Sequence, residues 1–202
     1  MDALTSTLEK CNLQLRLDNN TEGFGNCFPN AIVQQCRRPE IKEWLQANNP
    51  DAFVANHYTL RRKVKSFALN SRHKTLNDYK RNFETIVLGE TSWIEYWENM
   101  GQTGTWVDST FVQVTAWFIS LDILILTTSS NREIPFIRIN GNIEPQDEAT
   151  LGPHMLLGNY TNVHYQSLLP LSKIKIQSSK KVSDTEINIE NYSKRDDFCL
   201  YS

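Results

Sequence analysis

The sequence is poor in cysteine, in net charge and in long apolar runs. Its 202 residues hold four cysteines, Cys11, Cys27, Cys36 and Cys199, with no Cys-x-x-Cys pair. Such scattered thiols exclude a disulfide scaffold and read as reduced, intracellular cysteines. Twenty-one Lys and Arg face 23 Asp and Glu, a formal charge of −2, so no global basic field draws the chain to nucleic acid or to an anionic membrane. The longest apolar stretch, Val112–Leu126, is broken by Thr115, Ser120 and Asp122, and nothing approaches the roughly 18 uninterrupted apolar residues of a membrane span. Met1–Lys10 lacks a basic segment followed by an apolar core, so no signal peptide is expected. A cytoplasmic place, or a nuclear one, is the matching expectation. There is no internal repeat.

What is present is ordinary for a globular chain: 40% hydrophobic and 22% charged residues. That suffices for one domain with a real core. Residues 1–20 offer a short helix and a strand. Residues 21–26 are a loop, and Cys27–Cys36 has helical apolar spacing, with Pro29 tolerated in the first turn. Further helices are expected over 39–47, 51–69, 76–88 and 93–100. Residues 107–120 carry strand-forming residues at helical spacing, with Asp108 or Ser109 able to cap, and read as a helix buried nearly all round. Leu121–Thr128 is a buried central strand, and Ile134–Asn140 is its neighbour, ending in an Asn140-Gly141 turn. Met155–Tyr160 and His164–Leu169 are two more strands. From Ser172 onward charges mix with Ser and Asn, so we expect a domain over 1–171 and a flexible tail over 172–202. Helices first and strands later give an α+β arrangement, a small sheet packed by helices.

The stretch Gly25-Asn26-Cys27-Phe28 puts a thiol where a glycine loop meets a helix. A helix start offers partial positive charge and unpaired N–H groups to a thiolate, and to an oxyanion. A histidine could take the proton. Four are available. His57 and His73 fall in a charged helical region and read as solvated; His154 sits in a Gly-Pro loop; His164 opens an apolar strand. From the residues alone Cys27 is either a nucleophile paired with His164 or a small buried hydrophobe.

Gly25-Asn26-Cys27-Phe28 with Ala31-Ile32 resembles the nucleophile motif of the ovarian-tumour (OTU) family of cysteine proteases, Asp-Gly-Asn-Cys followed by an aromatic or Leu. His164-Tyr165-Gln166-Ser167-Leu168 resembles the family's histidine motif, and Trp106-Val107-Asp108 with Gln113 and Ala116 its Trp-containing helix. The resemblance covers roughly residues 11–170, in the family's order. It implies an OTU-like papain-type fold and isopeptidase action on ubiquitin, polyubiquitin or a ubiquitin-like protein. Cys27 would be the nucleophile and His164 the base, with a thioester between them in the reaction. Phe24, Gly25 and Asn26 would form the oxyanion loop, and Tyr165 would border the substrate groove, as would Trp106 unless it is a core residue. It implies no metal and no cofactor; nucleic acid and membrane are not expected partners, and a monomer is.

Two positions depart from the pattern. The family has Asp three residues before the cysteine, where this chain has Phe24; it has Asp or Asn two residues after the histidine, where this chain has Gln166. Gln166 can accept a hydrogen bond from an imidazole but brings no charge to steady the imidazolium. Asn162 or Glu22 could serve instead. Phe24 cannot hydrogen-bond across its turn, which predicts a looser loop. The competing readings are a ubiquitin-binding module that cleaves weakly or not at all, another thiol hydrolase, and nucleic-acid binding through Arg61-Arg62-Lys63-Val64-Lys65, a run otherwise read as a solvated helix face.

Overall fold

The structure, a computed structural model, describes residues 3–10, 15–17, 24–86, 92–128, 136–143, 152–160 and 164–170. The expected tail over 172–202, Asn162 and Glu22 lie outside them. In chain order the elements are α1 (Ala3–Lys10), β1 (Leu15–Leu17), α2 (Cys27–Cys36), α3 (Pro39–Asn48), a 3-10 turn (Pro50–Ala52), α4 (His57–Asn70), α5 (Lys74–Ile86), α6 (Trp93–Met100), α7 (Ser109–Ile119), β2 (Ile123–Thr127), β3 (Phe136–Ile139), β4 (Met155–Tyr160) and β5 (His164–Pro170). The five strands form one sheet in the order β1-β5-β4-β2-β3. Only the central β2–β4 pair is parallel; the others are antiparallel. The fold is α+β, as the sequence predicts.

Period-two alternation splits the sheet into two faces. Ile123, Ile125, Met155 and Leu157 point to the main core, which Phe28 and Ile32 of α2, Leu60 and Val64 of α4 and Phe111 and Val114 of α7 complete. Leu124, Leu126, Leu156 and Leu168 point the other way and close on Leu8 of α1. The sheet is therefore packed between helices. α7 is a helix, not a strand, because its apolar residues are buried on almost every side and Asp108 caps it, accepting from the Phe111 N–H at 3.0 Å. The same carboxylate accepts from the Tyr96 hydroxyl at 2.6 Å. Burial first, and then the neighbouring Asp108 charge, push the Tyr96 phenol far above its usual range. Trp93, Tyr96 and Trp97 pack with Tyr79, Phe83 and Phe111 as an interior aromatic cluster, not as an exposed anchor.

Three local expectations are corrected. The helix predicted over 51–69 starts only at His57: Pro50 supports a single 3-10 turn, and Asn56 caps the new helix by accepting from the Thr59 N–H. Asn140-Gly141 is no hairpin turn; Gly141 lies against the Leu121 backbone, where any Cβ would collide, and its N–H donates to Asp122 Oδ1 at 2.8 Å. His57 is half-buried, its ring tilted against that of Tyr58, and not fully solvated.

Gln35 fastens α2 to the sheet. Its amide nitrogen donates to Ser167 Oγ and to the Leu168 carbonyl, both at 2.7 Å, and its carbonyl accepts from the Leu156 N–H at 2.9 Å and from Arg38 Nη1 at 2.7 Å. All of this is buried or nearly so. Gln35→Leu removes the amide and strands its partners, so we expect a loss of about 3 kcal/mol in urea unfolding, since each buried group left unpaired costs roughly 1–3 kcal/mol. A loss below about 1 kcal/mol would show that water replaces the side chain.

His154 offers a pH test. Burial depresses its imidazole pKa from 6.5, more than the Asp122 carboxylate 3.7 Å away raises it; Arg138 lowers it further. The unfolded chain therefore takes up a proton that the folded one resists. This adds a loss of stability as pH falls below 6.5, absent above it, of at most about 1.4 kcal/mol per pH unit. His154→Gln should flatten the fall in Tm between pH 6.5 and about pH 5. An unchanged slope would assign the acid loss to other groups.

Candidate active site

Cys27 is the first residue of α2, and its side chain is buried beneath the surface. The residues before it make a turn of an unusual kind. Phe24 has φ +57° and Gly25 φ +77°, two left-handed residues in succession. Glycine is required at the second: a Cβ there would be driven into the Gly104 carbonyl. Phe24 has no such freedom, and a bulky side chain in this region costs about 1–2 kcal/mol. Its ring is 89% exposed. Asn26, the cap residue, does not cap α2 with its side chain. Its Oδ1 instead accepts from the Gly104 N–H at 3.0 Å. Pro29 brings no N–H of its own to the first turn. The start of α2 thus keeps its N–H groups clear of a side-chain cap, the condition an oxyanion would use.

The loop is not loose, although Phe24 cannot hold it. Gly25 is packed against the 104–105 backbone, Asn26 is bonded to Gly104, and the Gly25 carbonyl accepts from Arg61 Nη2 at 2.7 Å. Arg61 itself is wholly buried. The helix face expected to be solvated is so only in part: Lys65 pairs with Glu98 at 2.5 Å, Lys63 with Asp51, and Arg62 is exposed. One residue of the basic run belongs to the interior.

β5 brings the second half of the predicted site. Phe28, next to Cys27, meets the Tyr165 ring edge-on at 5.1 Å, while Gln35, two helical turns on, reaches Ser167 and Leu168. The helix and the strand therefore run in the same direction with their starts together, and His164, the first residue of β5, lies at the Cys27 end. Alternation sets His164 and Gln166 on one side of the strand, and Tyr165 and Ser167, which meet α2, on the other. Gln166 is buried opposite Gly158. Burial first raises the Tyr165 phenol pKa; the Asn159 side chain bonds it, and Cys27 and Asp108 lie close enough to act on it. Trp106, on the segment after Gly104, is 58% exposed, so it is not a core residue. With Phe24 it leaves two large aromatic rings open to solvent beside the Cys27 loop.

The other cysteine described here contrasts with Cys27. Cys36, at the far end of α2, is sealed in the core, and burial pushes its thiol up to about 12, which makes it inert. No cluster of His, Cys, Asp or Glu among the described residues could hold a metal ion. No helix described is long and apolar enough to cross a membrane.

Sequence reasoning missed Arg61. Its only signal was that the first Arg of the run falls on the apolar stripe of α4, one residue after Leu60 and three before Val64.

Two substitutions test the loop. Phe24→Asn, which suits a left-handed residue, should stabilise the protein by about 1 kcal/mol, or roughly 2–4 °C in Tm. Gly25→Ala should destabilise it by about 2 kcal/mol or more through its backbone clash. Equal and small effects from both would mean that the turn does not have this conformation.

No family model matches the chain, and no curated protein matches it. Solved structures do. The chain superposes on the OTU domain of OTUD1 with a TM-score of 0.51 at 18% identity, covering 83% of this chain and 92% of that one. An OTU deubiquitinase from Wolbachia pipientis wMel, solved bound to ubiquitin, superposes at 0.52 with 12% identity, over 78% and 97% of the two chains. An OTU domain in complex with ubiquitin superposes at 0.50 with 14% identity, over 76% and 69%. Together with the α2–β5 arrangement and the Cys27 loop, these place the architecture: the chain has the fold of the OTU domains.

Proposed function

We propose that the protein is a ubiquitin isopeptidase, or one acting on a ubiquitin-like protein, with Cys27 as nucleophile and His164 as general base. The observation that supports the reading is the start of α2: a thiol at the helix N-terminus, behind a fastened loop and close to Tyr165 of β5, the residue that follows His164. The neighbours with ubiquitin bound supply the substrate class.

The chemistry follows from these groups. His164, at the strand end where its ring can turn toward the thiol, takes the Cys27 proton. Sγ attacks the carbonyl carbon of the isopeptide bond. The N–H groups of the first turn of α2 and of Asn26 receive the oxyanion. The C–N bond breaks as His164 returns the proton to the departing lysine amine. Water, deprotonated by His164, then attacks the thioester; the C–S bond breaks and the thiol is restored. Phe24 and Trp106 flank the path of the extended substrate tail, and Tyr165 walls its buried end. Gln166 lies on the same side of β5 as His164 and brings no charge to steady the imidazolium. This predicts a slow enzyme, because a carboxylate in that role is worth orders of magnitude in rate.

Ubiquitin carrying a C-terminal electrophile tests the reading. The expected result is a covalent adduct in the wild type, none with Cys27→Ala, and capture slowed at least a hundredfold by His164→Ala, the scale of general-base loss being about 10²–10⁴. Gln166→Asp should speed capture tenfold or more. Binding of plain ubiquitin without any adduct would leave an inactive ubiquitin-binding module. The absence of both would refute ubiquitin as the substrate.

A further inference from the structure

We infer that Arg61 is a positioning residue for the nucleophile: from behind the loop it fixes the peptide that faces the substrate. A buried arginine normally has a carboxylate partner. The hydrogen bonds of Arg61 go to backbone carbonyls instead. Nη2 donates to the carbonyls of Gly25 at 2.7 Å and Thr105 at 2.6 Å, and Nη1 to that of Met100 at 2.7 Å. Its planar head lies over the Phe111 ring, 5.4 Å from the centroid. Nε is buried with no hydrogen-bond partner. Taking a full charge into such a site costs several kcal/mol, and three neutral carbonyls are a thin return for stability alone. Burial pushes its pKa down to about 10.

One consequence bears on the site. The described peptide bonds are all trans, so the Asn26 N–H points opposite to the Gly25 carbonyl. Anchoring that carbonyl on a fully buried guanidinium turns the Asn26 N–H outward, to the surface where a substrate carbonyl arrives.

The inference rests on Cys27 being the nucleophile, but half of its test does not need ubiquitin. Arg61→Met and Arg61→Lys are compared with wild type, each checked by its thermal unfolding. Capture of ubiquitin carrying a C-terminal aldehyde, which forms an oxyanion, is timed; alkylation of Cys27 by iodoacetamide, which forms none, is followed by peptide mass spectrometry; and hydrogen exchange is read at the Asn26 amide. In Arg61→Lys one ammonium cannot serve three carbonyls, so capture should slow tenfold or more, Asn26 exchange should change, and alkylation should keep its wild-type rate. Folded Arg61→Met should behave the same way. Wild-type capture and Asn26 exchange in Arg61→Lys overturn the loop's dependence on the fork, and so does alkylation that falls in step with capture. If Arg61→Met fails to fold, Arg61→Lys decides. Failure of wild type to capture ubiquitin, with the change in Asn26 exchange intact, removes the substrate reading and leaves the hold of Arg61 on the loop standing.

Discussion

The contact on which the rest depends is the lateral seam between α2 and the β4–β5 pair. A helix that presents a reactive group at its N-terminus must keep that end open, so it cannot be held there by the usual side-chain cap. It has to be held along its body. Phe28 and Ile32 do this by burial, and Gln35 by hydrogen bonding to both strands. Burial alone would let α2 slide along the strands, because apolar contact is not directional. The amide of Gln35 sets the register, since it meets Ser167, Leu168 and Leu156 together in one position only. Setting that register at the C-terminal half of α2 places Cys27 beside the start of β5.

The loop before Cys27 meets the complementary demand. It must be stiff, yet its outward side has to stay unoccupied. The fastenings all come from behind or from the side: Arg61 on the Gly25 carbonyl, Gly104 against Gly25, and Asn26 on the Gly104 N–H. Arg61 also ties the Met100 and Thr105 carbonyls. The segment after α6 and the loop before Cys27 are thereby fastened to one guanidinium. Phe24, which has the strained backbone and the exposed ring, takes no part in this. Strain and exposure retained together, at a position that packing does not require, belong to a surface meant to meet something else.

Much of the fold was legible because local signals agreed. α2 shows helical apolar spacing, α6 carries a capping box at Ser92 and Glu95, and α7 combines periodicity with the Asp108 cap. β2 is apolar throughout, as a central strand with a parallel neighbour should be. What could not be read depended on distant backbone. The burial of Arg61 follows from carbonyls 36, 39 and 44 residues away, which no window around Arg61-Arg62-Lys63 contains. The role of Gly141 is a packing role against Leu121, whereas its neighbour Asn140 suggests a turn. The start of α4 was obscured because Pro50 and Asn56 are both helix-start signals within seven residues, and only tertiary packing decides that the first stops after one turn. Of the candidate site, Cys27, Asn26 and the α2–β5 neighbourhood were visible from motif order; the support behind them was not.

That division has a physical reason. Residues that touch a substrate are constrained by chemistry, so their types recur in short patterns that a sequence displays. Residues that support them are constrained only by geometry, and many side chains could fill the same role. Phe24 illustrates the point: where a carboxylate could have braced the turn from within, this chain braces it from α4 with a guanidinium. The two solutions differ in what they tie together. An internal carboxylate would brace its own turn alone, while Arg61 holds the Gly25 carbonyl together with those of Met100 and Thr105, so the loop before Cys27 and the segment after α6 hold or shift as one.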